Sequence, residues 1–177
     1  LKSNREGKGE AVVSTVLFDN DVRVLHDRVS IERVRPLSER DYVPGGCTAP
    51  AAENKGRPGC FLSTEISLGS PPATLYWHIV PAKSAGDARR LMGKRAWSVV
   101  VEAHGRWWVY VLSPDSLDRS LPPHNVAGPF HLAPGKPVTA RFMESWFPPG
   151  MRTRVHSHSG PEGSYVIDGE QCTETPT

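Results

Sequence analysis

Residues 150–169 read Gly-Met-Arg-Thr-Arg-Val-His-Ser-His-Ser-Gly-Pro-Glu-Gly-Ser-Tyr-Val-Ile-Asp-Gly. The imidazoles of His156 and His158 and the carboxylate of Glu162 are the side chains of this chain best suited to chemistry. On a strand, residues two apart point to the same face, so His156 and His158 are expected to project together. Ser159-Gly160-Pro161 forms a short turn that lets Glu162 swing back to their side. Two imidazoles and one carboxylate on one face hold Fe(II) and leave coordination positions open; Mn, Ni and Zn accept similar donors. Arg154 has the same strand parity as the two histidines and is a candidate for holding an anionic substrate. Glu144 shares parity with Phe142 and Ala140. It is therefore a candidate interior carboxylate behind the metal ligands, able to act as a base.

The spacing Gly-x5-His-x-His-x3-Glu-x6-Gly resembles the first metal-binding motif of the cupin family, small β-barrels of the jelly-roll type. The resemblance implies that His156, His158 and Glu162 bind a divalent metal and that Asp168-Gly169 closes a hairpin between Tyr165–Ile167 and Glu170–Cys172. Cupins carry a second motif, in which a histidine after a Pro-x-Gly lead-in supplies a fourth ligand. Only eight residues follow Gly169. Upstream, Pro44-Gly45-Gly46 has no histidine three residues on, and neither His78 nor His124-Asn125 has the lead-in. The expectation is a cupin-like barrel of the double-stranded β-helix type, incomplete at the C-terminus. Val99–Tyr110, Phe142–Met151 and Gly169–Pro176 look like one branch of uncharacterised bacterial cupin-domain proteins. The motif-bearing part is specific, whereas residues 1–60 resemble no family.

The rest of the sequence sets the context for that motif. The chain has 177 residues, with 17 prolines, 16 glycines and 38% hydrophobic residues. Such turn-rich sequence with short apolar runs favours a mostly β protein. Lys and Arg total 21 against 19 Asp and Glu, so no basic footprint for nucleic acid exists. No apolar run approaches the ~20 residues of a membrane helix, and the N-terminus has no secretory h-region. Cys47 and Cys60 bracket a Gly-, Pro- and Ala-rich loop that a disulfide would tether. That pairing would place the protein outside the cytoplasm, and unpaired thiols would fit a cytoplasmic one. Cys172 reads as a small packing residue.

Strands are expected at 11–18, 22–26, 30–35, 61–66, 75–80, 97–103, 107–112 and 138–147. Residues 1–10, with Lys2, Arg5 and Lys8, read as a solvated tail. Residues 36–60 and 113–137 read as connections. One short helix is expected over 84–94, with Ser84 as N-cap and Gly93 as stop. Regions 11–137 and 138–177 then divide into a β-rich N-terminal part, a candidate degenerate barrel half, and the start of the cupin barrel. His26, His78, His104, His124 and His131 stand alone and read as core or surface residues. Trp97, Trp107, Trp108 and Trp146 read as core or interface residues.

The function these features point to is divalent metal binding. One expectation is a metal-dependent oxygenase, isomerase or lyase acting on a small polar molecule. The alternatives are a non-catalytic barrel that binds or senses a small molecule, homo-oligomeric or not, and a truncated, inactive fragment.

Overall fold

The computed structural model describes residues 11–19, 47–54, 56–154 and 156–173. The tail and the strands expected at 22–26 and 30–35 lie outside the described residues. Among the described residues, eight strands and one α-helix follow in chain order, beside a 3-10 turn at Ala51–Glu53: β1 Ala11–Asp19, β2 Gly59–Gly69, β3 Thr74–Ala82, α1 Ala85–Met92, β4 Ser98–Ala103, β5 Arg106–Ser113, β6 Asn125–His131, β7 Val138–Phe147 and β8 Glu162–Asp168.

Among the described residues the strands make two antiparallel four-stranded sheets, not a closed barrel. The first has the order β2-β7-β1-β8 and the second β4-β5-β3-β6. β1 lies between β7 and β8, with Val16 opposite Phe142 on one side and Gly163 on the other. Strands from either side of residue 137 therefore share one sheet.

Alternation along each strand decides what is buried. Val16 and Phe18 of β1, and Ala140 and Phe142 of β7, turn to one core together with Leu75, Trp77, Ile79, Tyr110 and Leu112 of the second sheet. Aromatic rings lock the two layers. Phe142 lies 6.0 Å from Trp77 and 5.1 Å from Tyr110, and Phe18 lies 5.1 Å from Phe130. Each such pair adds about 0.5–1.5 kcal/mol beyond its area burial.

The helix forms near where its caps predict. Ser84 Oγ accepts a hydrogen bond from the Asp87 N–H at 3.1 Å, and the Asp87 carboxylate accepts from the Lys83 N–H at 2.8 Å. Gly93, with φ of 58°, ends it. Ala88 is fully buried against Val80, Val109, Val111 and Leu121, on the outer face of the second sheet. Among the described residues, no helix is long and apolar enough to cross a membrane.

Three local expectations need correction. β6 forms inside the stretch read as a connection. Gly128 and Pro129 disguise it, and both are tolerated because β6 is an edge strand. Residues 156–161 are not a strand, and β8 begins only at Glu162. The return strand expected at 170–172 is irregular. There the Asp168 side chain accepts from the Gly169 N–H at 2.9 Å.

Cys47 and Cys60 are disulfide-bonded, with Cα atoms 4.6 Å apart. The bridge packs with Leu17, Met143 and Leu62 on the outer face of the first sheet.

Candidate metal centre

Two glycines position the segment that carries the ligands. The Pro161 carbonyl accepts from the Phe18 N–H at 3.1 Å, docking the loop onto the end of β1. A Cβ on Gly160 would collide with the Phe18 carbonyl. A Cβ on Gly163 would lie 2.5 Å from the Phe130 ring. Glu162 sits between these two close approaches, so its place on the edge of the first sheet is tightly fixed.

His156 and His158 come together without strand geometry. Their rings stand edge to face, 4.6 Å between centroids and 83° between planes. His158 Nε2 is 3.7 Å from Glu162 Oε2. One ligand atom from each of the three residues lies within 4.8 Å of the others. His156 Nδ1 is 2.6 Å from the Arg154 carbonyl. A carbonyl only accepts, so Nδ1 carries the proton and Nε2 keeps a lone pair. In that tautomer Nε2 is the nitrogen through which His156 can ligate an ion. Donors about 2.0–2.2 Å from one ion lie no more than about 4.4 Å apart. The trio fits an ion after a contraction of a few tenths of an ångström.

The side on which the group lies differs from the expectation of an interior metal. Glu162 pairs with Leu17, which belongs to the outer face of the first sheet. Along β8, Glu162, Ser164, Val166 and Asp168 are exposed, and Gly163, Tyr165 and Ile167 are half-buried. The register with β1 causes this. Gly163 faces the core because the Phe130 ring occupies the space above it, and its neighbour Glu162 must then face outward. The trio thus occupies the rim of the first sheet. Beside it, a cleft of about 220 Å³ opens between Ser159–Pro161 and the β6–β7 connection, walled by Phe18, His131, Leu132 and Val138.

Arg154 is exposed and contributes its backbone carbonyl to His156. Glu144 faces the interior, as its parity requires, and is 6% exposed. It does not join the trio. It lies opposite Ser14, four residues from Phe18, or about 13 Å along the strand. Its carboxylate accepts from the His104 N–H at 3.2 Å and is also bonded by the Asn54 side chain. Burial pushes its pKa up.

Two further histidines, His104 and His78, occupy polar environments away from the trio. His104, in the β4–β5 turn at φ of 56°, donates from Nε2 to the Val13 carbonyl at 3.3 Å and packs 4.9 Å from the Trp146 ring. Burial lowers its pKa to about 4, so it is neutral at physiological pH. His78 is fully buried and bonded to His124 and to the Asp115 carbonyl. Trp77 and Ile79, the apolar strand residues on either side of His78, mark it as a core histidine, and its burial agrees. Nothing in the sequence signalled the environment of His104, because a His-Gly turn ordinarily faces solvent. No protein-family model, curated protein or solved structure matches the chain.

Proposed function

We propose that this protein binds a divalent metal ion through His156, His158 and Glu162, with Fe, Mn, Zn and Ni as candidates, and that its sandwich is a cupin-like jelly roll. The convergence of three donor side chains within 4.8 Å carries this reading. Three protein ligands leave coordination positions open, and a small polar molecule binds there.

Of the two functional classes, binding or sensing is favoured over catalysis. An oxygenase, isomerase or lyase moves protons at the metal. The one interior carboxylate considered for that task, Glu144, is engaged by His104 and Asn54 instead. The Cys47–Cys60 bridge supports an exported or periplasmic location, because disulfides persist in oxidising compartments.

Titrating Mn(II) or Zn(II) into the protein, with heat as the readout, tests the site. The expected result is one ion per chain, with affinity reduced more than about 100-fold in His156→Ala/His158→Ala. Equal binding by both proteins would reduce the three residues to ordinary surface polar groups.

A further inference from the structure

The connection between β5 and β6 crosses the outer face of the second sheet, where Leu121 is buried against Val80, Val109 and Val111. Two polar anchors hold it. One is Arg95, which reaches Asp118 at 3.2 Å and Ser120 at 2.5 Å. The other is a histidine pair. His78 Nδ1 and His124 Nε2 are 2.8 Å apart. The outer nitrogen of each ring meets a backbone carbonyl: His78 Nε2 meets Asp115 O at 2.9 Å, and His124 Nδ1 meets Pro122 O at 2.7 Å.

Counting protons decides the charge of this pair. Carbonyls only accept, so both outer nitrogens carry hydrogens. The inner contact needs one hydrogen between its two nitrogens. Three hydrogens therefore sit on four nitrogens, whereas two neutral imidazoles supply only two. We propose that His78 and His124 form a shared-proton latch, which holds the 114–124 connection against the second sheet only while the pair carries one net positive charge.

The charge belongs on His124. His78 is fully buried, whereas His124 is only half-buried. Burial, and after it the neighbouring His124 ring, lower the pKa of His78, against the raising effect of its bond to the Asp115 carbonyl. Among charged neighbours, Asp115 and Asp118 favour a cation here, and Asp118 is itself paired with Arg95. On the flanking strands the residues opposite His78 are the uncharged Val111 and Val126.

With two hydrogens one of the three contacts must bring lone pairs together, either between the rings or against a carbonyl, and with four hydrogens two N–H groups face each other between the rings. The latch therefore weakens on both sides of a pH window. On the acid side the sign follows from His78. Its folded pKa lies below 6.5, so the stability it contributes is present above 6.5 and is lost as pH falls through the lowered value. On the alkaline side the window ends where the pair gives up its one proton.

Long-range ¹H–¹⁵N correlation of the imidazoles, on the full chain between about pH 5 and 9, tests the proposal. The expected spectrum at neutral pH has His78 protonated only on Nε2 and His124 protonated on both nitrogens. The Leu121 amide, which donates to the Asp118 carbonyl, reports the latch. Corrected for base catalysis, its exchange should quicken at least about tenfold once the pair loses its proton. In His124→Gln, an amide donor to His78 that does not titrate, that pH dependence should vanish. A neutral His124 ring at neutral pH, two coincident titrations near 6.5 or pH-dependent exchange persisting in His124→Gln would each overturn the latch.

Discussion

Burial acts on Glu144 and His104 in opposite senses, although the two touch. It raises the Glu144 pKa above the ordinary 4.5 and lowers that of His104 from 6.5 to about 4. A raised carboxyl contributes stability that is full below its unfolded value and lost as pH rises through its folded value. The lowered imidazole contributes stability that is full above 6.5 and lost as pH falls to about 4. Between these values the two effects oppose each other. Glu144→Gln keeps an acceptor for the His104 N–H and removes the charge. At neutral pH the variant should be more stable by about 1 kcal/mol. On acidification it should lose stability more steeply than the native protein, because only the His104 effect remains. Urea midpoints of both proteins between pH 4 and 8 measure this. A native protein that is the more stable at neutral pH would mean that the His104 and Asn54 hydrogen bonds outweigh burial.

The elements that carry the site are held by contacts that involve no ligand chemistry. Gly160 is the sharpest case, because a Cβ would strike backbone rather than a mobile side chain. Gly160→Ala should cost about 2–3 kcal/mol, as overpacking does when the surroundings cannot yield. It should also weaken metal binding at least about tenfold by shifting Glu162. Gly163→Ala should cost less, since the obstacle is the far end of the Phe130 ring. Thermal melts and metal titration of the two variants rank them, and an innocuous Gly160→Ala would mean the docking of Pro161 on Phe18 is soft. The spacing of His156, His158 and Glu162 was readable because it depends on local chain reach. The face they occupy was not, because that depends on β8 pairing with β1, which lies about 150 residues upstream in sequence. Helix α1 was legible from Ser84, Asp87 and Gly93, whose effects are local. β6 was hidden by Gly128 and Pro129, whose tolerance depends on an edge position that only the assembled sheet defines.

At the scale of the whole molecule, β1 joins distant parts of the chain. It sits between β7 and β8 and turns Val16 and Phe18 to the core. Its other face turns Leu17 toward Met143 and the Cys47–Cys60 bridge. Because Leu17 also lies opposite Glu162, the disulfide cluster and the candidate metal ligands share one face of one sheet. The bridge spans 13 residues, and closing a loop of that size restricts the unfolded chain by about 3 kcal/mol. For a domain of this length each kcal/mol shifts the melting temperature by about 2–4 °C. Cys47→Ser/Cys60→Ser should therefore melt roughly 6–12 °C lower. The candidate metal site should lose some affinity as well, because the cluster behind Leu17 loosens while the ligands themselves stay in place. The contrast with His156→Ala/His158→Ala separates the two roles. That variant should lose metal binding and keep the melting temperature of the metal-free native protein. If the serine variant instead melts with the native protein, the bridge restricts a loop that the sheet already orders, and the outer cluster stands on Leu17 and Met143 alone.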